Sequence, residues 1–208
     1  MNPDPREFYQ NRIPDQFNRS LDLQQEQAAK DDSEALRILE DMRAVNTSIL
    51  IRVEGDGGGL FALDIDNGRM TAAPECRHPA FVVIRHDQSA LAALVRESGD
   101  SALGFLGGLA GLAGEMRLTQ SRLSDLADLE GSVCLELTGD SGFSLVTHFG
   151  GGDLPDEPDC TIRVDDEAYR DLRAGALPAQ EAFMSGRIAI EGDMQLAMQL
   201  ALAALSPD

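Results

Sequence analysis

Residues 182–205, AFMSGRIAIEGDMQLAMQLALAAL, constrain this chain more than any other stretch. Phe183 and Met184 lead into Gly186, after which Ile188 and Ile190 alternate with Arg187, Ala189 and Glu191. A period of two describes a strand with one apolar face. Gly192 ends it, and Asp193 is placed to cap a helix by accepting from a first-turn amide. In the helix that follows, Met194, Leu196, Ala197, Met198, Leu200, Ala201, Leu202 and Leu205 are apolar, against Gln195 and Gln199 on the polar side. Such a helix is buried all round, as an ordinary core helix is, or it covers something apolar that is not protein. Its methionines would give flexible contact surface suited to ligands of varied shape.

The same pattern occurs upstream. FLGGLAGLAGEMRL, residues 105–118, lies over FMSGRIAIEGDMQL, residues 183–196, with Phe105, Gly108, Gly114, Met116 and Leu118 identical to their counterparts. Earlier still, Ile49, Ile51 and Val53 alternate before Gly55 as Val133, Leu135 and Leu137 alternate before Gly139. The opening strands are offset by 84 residues and the closing segments by 78, so the first copy is longer, with the extra residues between Asn67 and Pro79. A repeat of this length holds its own sheet and helices and reads as two domains rather than a solenoid. The first copy spans 31–126 and the second 121–208, with a helix around 115–129 shared. Residues 1–30, rich in Gln and Asn with three prolines, read as a polar, extended or partly disordered arm. Leu36, Leu39, Met42 and Val45 then recur at helical spacing.

The copies differ where a pocket would be. Residues 109–113 of the first, Leu-Ala-Gly-Leu-Ala, have poor strand propensity, and its closing helix carries Arg117, Gln120, Arg122 and Asp125. The second copy is therefore expected to hold the better apolar pocket. The opposite remains open, because Gly107, Gly108, Gly111 and Gly114 leave room for a ligand.

These residues carry a resemblance. Residues 160–205 resemble the second half of a sterol carrier protein type-2 domain, the non-specific lipid-transfer family. Asp165 with Asp166, Gly175, Pro178, Phe183, Met184, Gly186, Gly192, Asp193 and Met194 fall where that pattern has them, and residues 132–149 are similar to its opening strands. The match covers roughly residues 121–205. The expected fold class is α+β, two tandem sterol-carrier-like folds, each a sheet of about five strands covered on one face by helices. The resemblance implies an apolar tunnel under the closing helix that takes a sterol, fatty acid, acyl thioester or phospholipid. Its expected lining is Phe143, Leu145, Phe183, Met184, Ile188, Ile190, Met194, Met198 and Leu202. Phe105, Leu106, Leu109 and Met116 are the corresponding candidates in the first copy.

Charge narrows the partners. A formal net charge of −19, shared by both halves, repels phosphate backbones and disfavours nucleic acid. Lys30 is the sole lysine among 17 basic residues, and no polybasic membrane patch is expected. The longest apolar run, residues 102–114, is too short to span a bilayer, and stable membrane insertion is not expected. Cys76, Cys134 and Cys160 form no disulfide framework and no signal pattern opens the chain, so a cytoplasmic location is expected.

Chemistry is sparse. His86-Asp87 falls at a strand-to-helix junction, where Asp87 reads as a cap rather than half of a catalytic dyad. Cys76-x-His78 has two metal-ligand types but no visible remainder of a tetrahedral set. His148 has no local nucleophile, and a pairing with Cys134 has nothing further to support it. The glycine runs at 57–59 and 150–152 lack the lysine of a phosphate loop and read as turns. No catalytic residue, metal or cofactor is expected. The leading reading is a lipid-binding carrier. Against it stand an accessory protein presenting a hydrophobic intermediate to a biosynthetic enzyme and an enzyme that has recruited the fold; a second copy of the chain is a further candidate partner.

Overall fold

The computed structural model describes residues 3–30, 32–97, 117–139, 142–150 and 154–205. Phe105, Leu106, Leu109 and Met116 lie outside the described residues. The strands are β1 Thr47–Val53, β2 Gly59–Asp66, β3 Arg69–Ala73, β4 Ala80–His86, β5 Gly131–Thr138, β6 Phe143–Phe149, β7 Cys160–Asp165 and β8 Ile188–Gly192. They form one mixed eight-stranded sheet in the order β3-β2-β1-β4-β6-β5-β7-β8. The helices are α1 Pro5–Glu7, α2 Ile13–Ala28, α3 Ser33–Arg43, α4 Gln88–Glu97, α5 Gln120–Ala127, α6 Asp166–Arg173, α7 Ala179–Met184 and α8 Met194–Leu205.

The expected pair of five-stranded sheets is thus a single sheet. β1 pairs antiparallel with β2 and parallel with β4, and β5 repeats this with β6 and β7. β4 and β6 join the halves, antiparallel from Val82 opposite Phe149 to His86 opposite Leu145. Each would otherwise leave an open strand edge, and pairing the two satisfies both rows of backbone donors and acceptors. β3, an edge hairpin in the first half, falls in the interval where the sequence repeat is longer.

Strand alternation sorts the side chains onto two faces. Ile49, Ile51, Val53, Phe61, Leu63 and Ile65 in the first half, and Val133, Leu135, Leu137, Phe143 and Leu145 in the second, are buried on the helix-covered face. The opposite face carries polar cross-strand groups, including a ladder in which Arg163 donates to Glu136 at 2.9 Å and to Glu191 at 2.7 Å. Helix starts are set locally. Asp87, Asp165 and Asp193 accept from Ala90 N at 2.8 Å, Ala168 N at 2.6 Å and Leu196 N at 3.0 Å, the capping roles their positions imply.

Residues 5–28 correct the reading of an extended arm: they are helical. Tyr9, Ile13, Phe17 and Leu21 recur every fourth residue and are buried, with Phe8, against the first half of the sheet and α3. A π-helical turn, Phe8–Arg12, precedes Pro14. An α-helical path would drive the Pro14 ring into the carbonyl one turn back, and the wider turn relieves that clash.

Candidate functional site

The second half presents the most unusual apolar surface. Gly192 ends β8 with φ +85°, and a Cβ there would run into the Asp159 carbonyl, so the chain turns on a glycine. Asp193 N donates to that carbonyl at 2.8 Å while the Asp193 carboxylate caps α8. Leu196, Ala197 and Ala203 of α8 face inward, with Leu200 half-buried. Leu196 and Ala197 pack on Val133 of β5 and Cys160 of β7. The sequence expectation that α8 is buried or covers a ligand meets a mixed outcome. Its outer stripe of Met194, Met198 and Leu202, at i, i+4 and i+8, is exposed, Met198 at 59% and Leu202 at 66%. No charged residue occurs from Met194 to Leu205.

α7 approaches the same sheet face at its other end. Ala182 is buried with Ile188, Val164, Leu137, Phe143 and Leu145, while Phe183 and Met184 point outward, Met184 at 77% exposure. Arg187 donates to Asp171 at 3.0 Å and ties the turn after α7 to α6. Between the two packed clusters lie Ile162 and Ile190, partners across β7 and β8. Both pack against each cluster and stay half-buried. The cover over the sheet is therefore thin along this pair.

The nine expected lining residues divide accordingly. Phe143, Leu145 and Ile188 share one packed cluster with Ile190 beside it, whereas Phe183, Met184, Met194, Met198 and Leu202 are on the surface. The sequence pattern did not single out Ile162, which alternates correctly in β7 but is flanked by Thr161 and Arg163.

Reactive groups elsewhere are committed to packing. The His86 ring Nδ1 lies 2.8 Å from the Asp87 carbonyl, and its Nε2 meets the Tyr9 hydroxyl. Burial first of all holds the His86 pKa below its ordinary value. The Cys134 and Cys160 thiols are pushed up, in each case chiefly by burial, so neither is a ready thiolate. Cys134 and His148 share the open sheet face as diagonal neighbours on β5 and β6. His78 Nε2 lies 2.7 Å from Asp66 Oδ1, and among the described residues no group of His, Cys, Asp and Glu is placed to hold a metal. Asp159 accepts from the backbone and hydroxyl of Ser132, both at 2.8 Å.

This geometry defines a class: an α+β fold with one sheet face covered by helices, the last of which bears an uncharged apolar stripe on its outer side, and with no assembled catalytic group among the described residues. Residues 113–204, a little under half of the chain, match the model of the SCP-2 sterol transfer family. In solved structures the chain is similar to the sterol carrier protein 2-like 2 of Aedes aegypti, at 19% identity over 51% of this chain and 96% of that one, TM-score 0.34. The palmitated form of that mosquito protein matches at 23% identity over 37% and 74%, TM-score 0.31. The apo sterol carrier protein 2 of Yarrowia lipolytica matches at 16% identity over 50% and 88%, TM-score 0.32. No curated protein matches the chain. Among the described residues no helix is long and apolar enough to cross a membrane.

Proposed function

We propose that this protein is a lipid carrier that holds an aliphatic ligand in its second half, along Ile162 and Ile190, between α7 and α8. The observation that carries the reading is the uncharged stripe of α8 beside a sheet floor left half-covered. Burying a sixteen-carbon chain from water gains about 0.8 kcal/mol per methylene, on the order of 10 kcal/mol in all. Moving the same chain out of a bilayer gains far less, because both sites are apolar, so loading from membranes is reversible. Phe183, Met184, Met194, Met198 and Leu202 close over the ligand, and Phe143, Leu145 and Ile188 form the packed wall behind it. The repeated pairing of β1 with β2 and β4, and of β5 with β6 and β7, supports two fused copies of one unit, and the uncharged apolar run of α8 favours the second as the better site. A cytoplasmic, non-catalytic role belongs to this reading.

Native mass spectrometry of the purified full chain, followed by organic extraction, tests it. One amphiphile per chain, displaced by added palmitate, is expected. Absence of any adduct, with no uptake of added palmitate, cholesterol or phosphatidylcholine, would overturn it. The exposure of Met184 and Met198 also suits presentation of a bound intermediate to an enzyme, and recovery of a stoichiometric enzyme partner on copurification would favour that role.

A further inference from the structure

A cleft of about 440 Å³ opens where the two halves of the sheet meet, away from the second-half candidates. One wall is a face of α5, with Gln120, Leu123, Ser124 and Ala127 at i, i+3, i+4 and i+7. The other is built from the first residues of β1 and β4, including Thr47 and Phe81, with Gly150 just past β6. The volume lies in the range of small-molecule sites. We propose that this cleft is a second binding site, for an uncharged amphiphile with an apolar body and a hydroxyl or amide head.

None of the ten described residues lining the cleft has an ionisable side chain, in a chain that is 25% charged. An anionic head would find no counter-charge here and would meet the repulsion of a −19 protein; a cationic head would find no carboxylate on the wall. Phe81, Leu123, Ala127 and Pro79 give the apolar floor. Of the polar groups, Asn46 is committed: its amide donates to the Ala44 carbonyl at 2.9 Å and its oxygen accepts from Asn67 N at 3.0 Å. Thr47 Oγ1 reaches the Pro79 carbonyl at only 3.4 Å. The side chains of Gln120 and Ser124, one turn apart on α5, make no hydrogen bond among the described residues. They offer a donor-acceptor pair above an apolar floor, the arrangement that orients a neutral polar head. None of the cleft residues belongs to the proposed carrier site, so either site can exist without the other.

The test uses amide NMR of the full chain titrated with 1-decanol, decanoate and decylamine at equal concentrations. Decanol should saturably shift the amides of Thr47, Phe81, Gln120 and Ser124, and neither charged analogue should. Ser124→Trp, at an exposed position, fills the cleft and should weaken decanol binding about tenfold. It should leave the shifts of residues 194–202 with palmitate unchanged, which separates this site from the carrier site. A thermal melt matching the parent confirms that the variant is folded, and Gln120→Ala gives a milder second variant with the same direction of effect. Lack of saturable shifts at these amides, equal shifts with decanoate or decylamine, or unaltered decanol binding by folded Ser124→Trp would each overturn the proposal.

Discussion

Tyr9, on the π-helical turn near the N-terminus, donates its hydroxyl proton to Nε2 of His86 inside the first-half core. The direction follows from the other ring nitrogen: a proton on Nδ1 serves the Asp87 carbonyl at 2.8 Å, leaving Nε2 as the acceptor. The ring is neutral, its pKa held down by burial against the smaller opposing pull of Asp87 and Glu54. Burial likewise raises the Tyr9 phenol well above its ordinary value. Below the ordinary histidine value of 6.5 the unfolded chain binds a proton that folded His86 resists. Stability conferred by the neutral ring is therefore full above that pH and is lost as pH falls towards the folded value. Urea denaturation should show the loss beginning below about pH 6.5, and His86→Leu should flatten that part of the profile. Tyr9→Phe should cost about 1–3 kcal/mol at pH 7.5 by stranding a buried acceptor. A flat profile in the parent protein would contradict the assignment.

The docked N-terminal helix gives a second expectation. Phe17 is buried against the sheet, whereas Leu23 on the same helix is half exposed. Phe17→Ala should destabilise the protein by about 3–5 kcal/mol and Leu23→Ala by about 0.5 kcal/mol or less. Equal, small effects in denaturant titrations would return these residues to the status of an undocked arm.

What could be read from the sequence divides by range. Caps at Asp87 and Asp193, and the alternation of Ile49, Ile51, Val53 or Val133, Leu135, Leu137, are local and came out as the sequence implied. The N-terminal helix was equally local. Tyr9, Ile13, Phe17 and Leu21 carry a spacing of four, hidden by the Gln- and Asn-rich surroundings and by Pro14, which breaks an α-helix but is tolerated after a π turn. The joining of β4 to β6 was not legible, since strand pairing between halves depends on which edges are left open and carries no composition signal. The site was half legible. The apolar character of α8 is in the sequence, but which of its faces meets Val133 and Cys160 is decided by packing.

The two faces of α8 should respond differently. Leu196 is buried against Val133 and Cys160, so Leu196→Ala should cost about 2–5 kcal/mol of stability. Met198, mostly exposed, should tolerate Gln with a change of about 0.5 kcal/mol or less. Its loss of apolar contact should weaken uptake of a fluorescent fatty acid about tenfold. Unchanged uptake by folded Met198→Gln would remove the stripe from the ligand surface.

Asp64 is fully buried on the sheet face opposite the helices. It accepts from Ser48 Oγ at 2.5 Å and from Arg77 N at 3.0 Å, with Arg77 Nε at 3.3 Å. Ser48 in turn accepts from His78 N at 3.1 Å, so one hydroxyl fastens both the carboxylate and the loop before β4. The Arg77 side chain is 63% exposed, and water can replace much of what its charge supplies; the Ser48 hydroxyl has no such substitute. Ser48→Ala should therefore cost about 2–3 kcal/mol and Arg77→Met about 1 kcal/mol or less. Burial, then the Asp64 charge, also pushes up the Cys76 thiol on the same loop, which should alkylate more slowly at pH 7.5 than a free thiol. If Arg77→Met proved the more damaging substitution in urea titrations, the ion pair rather than the Ser48 hydroxyl would be what holds this carboxylate under the loop.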